Sequence, residues 1–383
     1  MSQRHWLQLS LTEGLGPILT TRLIEVAGSA EAAARADARM LRAVEGIGPN
    51  KAATIFDSLR NAAEEVDKQL QACAATNVSL LSLDDAGYPA ILRAIPDPPP
   101  LLYVKGSLED RDMNAVGIVG SRKCSYYGRE QAERFAALLA PAGLTVVSGG
   151  ARGIDSAAHR GALSHPHGRT IAVLGCGVDQ VYPPENAALF DRITARGALV
   201  SEFPLGTPPL RENFPRRNRL ISGLSRGVLV IEADIGSGAL ITARHACEDH
   251  NRPVFAVPGR VDNPLSAGPH ALIRDGAVLT SSLDDILEDL GPLPEQVHVE
   301  LKPAPSEPEL PPEQPEQPTA PLNDRCRRLL AEIGSEPADV DSLIARTELP
   351  AEVVFQELTL LSLRGVVRRV EGNKFVRKLS KSK

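Results

Sequence analysis

The amino-acid sequence predicts an α/β fold: an extended, Rossmann-like, doubly wound sheet that is mostly parallel, preceded by a helical domain and followed by a winged helix. Asp97–Tyr103, which contains three prolines, is expected to lead into the sheet as an extended connector. The sheet is predicted by short apolar runs with helical stretches between most of them, a pattern typical of parallel strands covered on both faces. The runs are Ala115–Val119, Leu144–Ser148, Thr170–Leu174, Ala198–Ser201, Gly227–Ile231, Val254–Val257 and Ala277–Thr280.

A proline-rich segment divides the chain of 383 residues. Ten of the 31 prolines lie between residues 292 and 321, together with six Glu and one Lys. Such a segment cannot fill a core or donate enough backbone hydrogen bonds, so an extended linker is expected there. We therefore expect a helical domain over residues 1–80, a Rossmann-like core over 81–291, the linker over 292–321 and a winged helix over 322–383.

A short repeat marks the helical domain. Glu13–Pro17 (EGLGP) recurs as Glu45–Pro49 (EGIGP), and helical sequence follows each copy. The pattern resembles the helix-hairpin-helix unit of SAM-like domains, whose glycine turn can offer backbone N–H groups to a phosphate. Two ordinary helical hairpins packed together would show the same pattern, and few basic residues flank the turns. DNA contact and simple helix packing both remain open here.

The C-terminal segment predicts a winged helix. Helices are expected at Asp324–Ile333, Val340–Arg346 and Pro350–Arg364, and a hairpin follows at Val366–Arg377 with its turn at Glu371-Gly372-Asn373. Eight Lys or Arg lie between Arg364 and Lys383. They fit a DNA-binding wing or a solvated tail equally well, and many winged helices bind protein instead.

Composition narrows the class of protein. No run of eighteen apolar residues and no apolar N-terminal signal is present, so a cytoplasmic protein without a membrane partner is expected. Five separate cysteines without a CxxC pair indicate neither disulfides nor a metal site. The net charge is −6, and residues 1–291 carry −4 of it. Any nucleic-acid site must therefore be a local basic cleft.

Glycines and arginines follow the predicted strands, where an open parallel sheet binds its ligands. Glycines permit close approach to the backbone, helix N-termini present N–H groups, and arginines supply charge and forked donors. Phe214 adds an aromatic face for a base, whereas Arg217 or Arg219 could instead form a buried ion pair. The predicted phosphate- or DNA-binding residues are Gly120, Ser121, Arg122, Ser148, Gly149, Gly150, Arg152, Gly153, Gly175, Phe214, Arg216, Arg217, Asn218, Arg219, Ser237 and Gly238.

Catalytic and cofactor signatures are missing from the sequence. There is no GxxxxGK[ST] phosphate loop and no GxGxxG after the first strand, so no nucleotide cofactor is expected. Asp155, His159 and Glu232 are polar candidates, but no serine or cysteine has an evident base partner. His159 follows Asp155 by four residues on a predicted helix, so the two side chains can simply bond each other. A binding protein is expected rather than an enzyme.

Together the loops resemble the DprA (Smf) family of DNA-processing proteins over about residues 85–290. The resemblance implies a Rossmann core that binds single-stranded DNA in a basic pocket, forms a homodimer and helps to load RecA during natural transformation. The family's pocket arginine corresponds to Arg122, and Gly150 departs from the larger apolar residue that is frequent at its position. The matching segments are Tyr88-Pro89, Asp97–Pro99 with Leu102-Tyr103, Gly120–Arg122, Ser148–Asp155 with Ala158-His159, Tyr182–Asn186, Ser201–Pro204, Phe214–Arg219, Ser237–Ala243 and Val257–Gly259.

The residues alone do not indicate whether the ligand of the predicted site is a DNA strand or a mononucleotide. The alternative function is therefore a nucleotide-processing enzyme on a related fold, such as a phosphoribohydrolase, although the PGGxGT loop of those enzymes is missing. A third alternative is an interaction module in which only the winged helix is active. That alternative would leave the arginine-bearing loops unexplained.

Overall fold

The computed structural model describes residues 2–291, 323–334, 336–363, 366–370 and 373–377. The chain forms two compact units: Met1–Cys124 with Gly128–Glu300, and Ser125–Tyr127 with Leu301–Lys383. The predicted linker over 292–321 lies outside the described residues, as do Glu371 and Gly372 of the predicted hairpin turn.

The first unit is built on a nine-stranded sheet of order β1-β2-β6-β5-β4-β3-β7-β8-β9. The strands from β3 to β9 pair in parallel, which confirms the doubly wound, mostly parallel fold predicted from the apolar runs. The strands are β1 Val78–Ser82, β2 Leu101–Gly106, β3 Ala115–Val119, β4 Thr145–Ser148, β5 Thr170–Val173, β6 Gly197–Ser201, β7 Gly227–Val230, β8 Val254–Ala256 and β9 Val278–Leu279.

Two strands of the first unit were missed by the sequence analysis. The predicted connector Asp97–Tyr103 is extended, but from Leu101 it is the strand β2, which pairs antiparallel with β6 and with β1. Leu101, Leu102 and Tyr103 are all buried, so the apolar side chains that follow the prolines belong to the core. The predicted domain boundary at residue 80 falls inside β1.

Helices cover both faces of the sheet and form the N-terminal part of the first unit. They are α1 Ser2–Leu11, α2 Pro17–Ala27, α3 Ala30–Ala34, α4 Ala38–Ala43, α5 Pro49–Asn61, α6 Ala63–Thr76, α7 Ala90–Arg93, α8 Tyr126–Leu139, α9 Ile154–Ala162, α10 Ala187–Arg196, α11 Asn213–Gly223, α12 Gly238–Arg244, α13 Ala267–Arg274 and α14 Asp284–Leu290.

The two repeated glycine turns pack against each other's helices. Gly14 and Gly46 both have positive φ values, of 83° and 89°. The Cα of Gly14 faces Ile55 of α5, and that of Gly46 faces Leu19 of α2. The helices that follow the turns start at Pro17 and Pro49, as the repeat predicts. One hydrophobic cluster contains residues of these helices and residues of β5 and β6. The helices therefore pack against the sheet at these two strands.

The second unit contains a winged helix, as predicted. Its core includes Leu329, Leu343 and Leu358, one from each helix, together with Phe375 from the hairpin. The side chain of Asn323 accepts a hydrogen bond from the Cys326 N–H and so caps the first helix. Its elements are α15 Asp324–Glu332, β10 Ala338–Asp339, α16 Val340–Thr347, α17 Ala351–Leu363, β11 Val367–Val370 and β12 Lys374–Arg377.

His159 is a buried, neutral part of the sheet core. The Thr170 hydroxyl donates to the Val146 carbonyl, so it accepts from His159 Nδ1–H at 2.7 Å. The tautomer is therefore fixed by a neighbouring strand. Burial lowers the pKa of His159 to about 3.

We expect His159→Gln to flatten the pH dependence of stability. Because the folded pKa of about 3 lies below the ordinary value of 6.5, the stability from the neutral ring is complete above pH 6.5 and is lost as the pH falls toward 3. This histidine adds a slope of up to about 1.4 kcal/mol per pH unit to the free energy of unfolding. Urea unfolding at several pH values measures it, with His167→Gln as a surface control. Equal slopes in wild type and His159→Gln would contradict the assignment.

Candidate nucleic-acid interface

A cavity of about 660 Å³ opens at the carboxyl ends of the strands, where β3 and β7 are neighbours. The chain runs outward from β3 through β4 and β5 to β6, then returns to the other side of β3 as β7. Loops after β3 and β7 therefore diverge and leave a crevice, the usual ligand position in such sheets. The cavity is lined by Val119, Gly120, Ser121, Arg122, Ala151, Asp155, Tyr182, Pro209, Arg211, Phe214, Pro215, Arg217, Asn218, Ile221, Ser237, Gly238, Ala239 and Thr242.

The loop after β3 is held by backbone hydrogen bonds on both sides. The Ser121 N–H donates to the Glu232 carbonyl at 2.6 Å, and the Ile154 N–H donates to the Ser121 carbonyl at 3.2 Å. A Cβ on Gly120 would lie 2.5 Å from Ile154 Cγ1, and one on Gly153 would lie 2.8 Å from the Arg122 carbonyl carbon. These glycines let the loops after β3, β4 and β7 pack together. The packing fixes the position of the Arg122 backbone.

At other glycines of the predicted loops, protein atoms also occupy the space that a side chain would need. A Cβ on Gly175 would lie 2.9 Å from the Phe214 ring, and one on Gly150 would lie 3.1 Å from Phe190. Gly238 is different, since no atom lies within 4 Å of its Cβ position. The expectation that these glycines admit a ligand to the backbone thus fits Gly238, while Gly150 and Gly175 serve packing.

Arg122 and Arg211 are the exposed cations of the cavity. The Arg122 guanidinium lies 4.9 Å from the centre of the Phe214 ring, and the Tyr182 ring lies 5.6 Å from the same ring. In the part of the chain that the structure describes, no carboxylate forms an ion pair with either arginine. Both charges therefore remain available to an anion.

Arg217 lies deeper and is engaged by the backbone. Its Nη1 donates to the carbonyls of Gly149, at 2.8 Å, and Val173. Burial lowers the pKa of Arg217 to about 10, while Asp155 favours the charged form. The guanidinium is thus fixed at the base of the cavity by the ends of β4 and β5.

Arg219 forms a buried ion pair. Its Nη2 lies 2.6 Å from Glu202 Oε2, and its Nε lies 3.1 Å from Asp97 Oδ2. The side chains of Arg219 and Glu202 are 6% and 3% exposed. The bridge ties α11 to the segment after β6 and to the one before β2. Arg216, on the same helix, is 53% exposed and lies 3.4 Å from Glu202.

Arg152 lines a smaller adjoining cavity with Gly149 and Gly175. Its side chain forms a two-pronged hydrogen bond with the Glu185 carboxylate, with Nη2 to Oε2 at 3.0 Å. Both side chains are about half exposed, so an anion must displace Glu185 to reach Arg152.

The helix α11, which carries Phe214 and Arg217, is fixed at its other end by Arg252. The Arg252 guanidinium donates to the carbonyls of Ser222, Gly223 and Ser225. A cation is favoured at a helix C-terminus, where these carbonyls lack partners. Sequence reasoning did not single out Arg252, because its acceptors are backbone groups.

The polar candidates for catalysis do not converge. Asp155 lines the cavity, and burial raises the pKa of its carboxyl against the opposing charges of Arg217 and Arg122. His159 instead bonds Thr170 inside the sheet. Glu232 is buried and accepts from Asn263 Nδ2 at 3.4 Å. The described residues contain no cluster of three His, Cys, Asp or Glu able to hold a metal ion, and no helix among them is long and apolar enough to cross a bilayer.

The structure brings many predicted site residues together and places others elsewhere. Arg211 and Tyr182 line the main cavity but were not among the predicted binding residues, although Arg211 precedes Phe214 by only three residues and Tyr182 lies in a segment that matches the family. The main cavity holds Gly120, Ser121, Arg122, Phe214, Arg217, Asn218, Ser237 and Gly238, the adjoining cavity adds Gly149, Arg152 and Gly175, and Ser148, Gly150, Gly153, Arg216 and Arg219 line neither.

The fold and the cavity define a Rossmann-like binding protein with a cationic, aromatic pocket at its topological switch point. The family of DNA recombination-mediator protein A matches residues 79–291, and the DprA winged helix domain matches residues 311–373. The chain belongs to this family of DNA-processing proteins, which confirms the resemblance seen in the loops.

Relatives match over most of the chain. It is 36% identical to the protein Smf of Synechocystis over 98% of its length and 99% of that protein's. It is 43% identical to the protein Smf of Escherichia coli over 77% and 76% of the two chains. The solved structure of DNA processing protein A from Streptococcus pneumoniae is 35% identical, with a TM-score of 0.65 over 76% of this chain and 98% of that one.

We expect Arg219→Ala to destabilise the fold by about 3–5 kcal/mol, because it leaves Glu202 buried without its main partner. Arg216→Ala is the matched control and should cost about 1 kcal/mol or less, since the Arg216 side chain is half exposed and lies 3.4 Å from Glu202. Urea unfolding of the two variants tests this. Similar losses for both would show that the buried bridge does not hold α11.

Proposed function

We propose that this chain is a single-stranded-DNA-binding protein that takes the strand into the cavity at the β3–β7 crevice and helps to load RecA onto it. The observation that carries the proposal is the pairing of two arginines without carboxylate partners, Arg122 and Arg211, with the aromatic ring of Phe214 in one cavity. Phosphates and bases are the two groups of a DNA strand that these side chains bind.

The net charge of the chain indicates that DNA is bound through contacts at short range. The whole chain carries a net charge of −6, so its long-range field repels DNA. Binding must come from a few close phosphate contacts at the rim of the cavity. Arg122 and Arg211 provide them, and the open position at Gly238 leaves room for the backbone of a ligand.

A single strand fits this cavity better than a duplex. Its unpaired bases expose their faces for stacking and their edges for hydrogen bonds. In a duplex both are occupied, and a base must be extruded before it can enter a pocket.

We propose binding rather than catalysis. Asp155, His159 and Glu232 point to no common reacting position, because His159 is committed to Thr170 and Glu232 lies beside Asn263. The size of the cavity also admits a mononucleotide, which keeps a phosphoribohydrolase as the second candidate. Release of a free base from a nucleoside monophosphate by purified protein would favour that candidate.

We further propose a partner, a location, an assembly and a domain organisation for this chain. Family membership supports RecA as the partner and the cytoplasm as the location. The same membership supports a homodimer as the assembly. We propose that the chain is organised as a helical domain over 1–80, a Rossmann-like core over 81–291, a linker over 292–321 and a winged helix over 322–383.

Arg122→Ala and Arg211→Ala should each weaken single-strand binding about ten- to a hundred-fold, because each removes a charge-assisted phosphate contact. The loss should not depend on base composition, since a phosphate carries no sequence information. The slope of log affinity against log salt should fall by about 0.7 per lost contact. Fluorescence anisotropy with labelled oligonucleotides at several salt concentrations measures both quantities.

Arg192→Ala is the matched control, because this exposed arginine lies on α10 and lines neither cavity. It should leave the affinity and the salt slope near those of the wild type. Arg122→Lys should recover only part of the affinity, since an ammonium cannot reproduce the guanidinium fork. A folded Arg122→Ala protein with undiminished affinity and slope would refute the proposed pocket.

The wild-type protein should shorten the lag before RecA hydrolyses ATP on single strands already coated with a single-strand-binding protein. Arg122→Ala should leave most of the lag in place, because the protein must hold the strand to deliver it. ATP hydrolysis followed over time reports the lag. An unchanged lag with the wild type, at concentrations where it binds DNA, would remove the RecA step from the proposal.

A further inference from the structure

The base of the cavity holds a carboxylate, which a pure phosphate site would not contain. Asp155 lines the cavity with Arg122 and Arg217. Its side chain is buried, and Oδ2 accepts a hydrogen bond from the Ala151 N–H at 3.3 Å. This bond fixes the carboxylate at the start of α9. An ionised carboxylate accepts hydrogen bonds and donates none, so a group that binds Asp155 must be a hydrogen-bond donor.

A donor lies beside this acceptor. A Cβ on Gly149 would lie 2.6 Å from Asp155 Oδ2 and 2.7 Å from Arg217 Nη2. The two atoms therefore both pack against Gly149, and both side chains line the cavity. Since Nη1 of Arg217 is bound by the carbonyls of Gly149 and Val173, the guanidinium cannot swing outward to the rim. The base of the cavity thus presents a fixed acceptor next to a fixed donor.

We propose that Asp155 and Arg217 bind the edge of one unstacked nucleobase, while the neighbouring phosphates stay at the rim beside Arg122 and Arg211. Each of the four bases carries an N–H donor next to an O or N acceptor on its pairing edge, so the pair can accept any base. The inference rests on the single-strand binding proposed above and specifies which part of the strand enters.

The test compares two homopolymers on the wild-type protein: oligothymidylate, and the same strand methylated at N3 of every base. N3-methylation removes the donor that Asp155 would accept and leaves the charge of the strand unchanged. Thymine strands form no internal pairs, so the methyl group alters no strand structure. We expect the methylated strand to bind about tenfold more weakly, the value of one lost hydrogen bond to a charged group.

Asp155→Asn should reduce this discrimination to about twofold, because a neutral amide is a weaker acceptor and can present its NH₂ group instead. Asp234→Asn is the matched control: it removes the same charge from the loop after β7 without lining the cavity, and it should keep the tenfold ratio. Thermal melting of both variants accompanies the binding curves. The wild-type comparison stands even where a variant does not fold.

Equal affinity of the wild type for the two strands, with Arg122→Ala still weakening both, would overturn the base-edge inference and leave the proposed function intact. An unchanged tenfold ratio in folded Asp155→Asn would also overturn it, since the discrimination would then come from another group. Failure of the wild type to bind either strand would refute the proposed function itself, and this inference with it.

Discussion

The close packing of three loops at the end of β3 is the constraint on which the rest of the site depends. The backbone of Ser121 bonds the Glu232 carbonyl on one side and the Ile154 N–H on the other. Only glycine leaves room for this approach at residues 120 and 153. The crevice created by the strand order is thereby closed at its base, and Arg122 emerges at a fixed point on its rim.

Around this point the arginines divide into two kinds. Arg217 and Arg219 are buried, where Arg217 donates to backbone carbonyls and Arg219 pairs with Glu202, and they hold α11 against the sheet. Arg122 and Arg211 remain exposed beside Phe214. Arg217 and Arg219 thereby position the helix α11, and Arg122 and Arg211 lie exposed beside its Phe214 side chain. This division lets a chain of net negative charge keep a cationic pocket, because Arg122 and Arg211 have no carboxylate partner among the described residues.

The parallel sheet and the winged helix could be predicted from the sequence because apolar runs and helical periodicity are local signals. The strand β2 was harder, since its three preceding prolines indicate a connector and its pairing with β6 is set at long range. Strand order predicted the position of the cavity, and Arg122 and Phe214 both line it. The roles of Arg219 and Gly175 could not be read from their types, because burial against Glu202 and contact with the Phe214 ring arise only in the fold.

The central claim is that the cavity receives an unpaired strand. A mobility shift of the full chain with a single strand and with the duplex of the same sequence, at two salt concentrations, tests it most directly. The account predicts that the single strand binds at least about tenfold more tightly at both, because taking a base out of a duplex costs a few kcal/mol. Both affinities should fall with salt. Equal binding of duplex and single strand would contradict the account and assign the DNA contact to a surface other than this cavity.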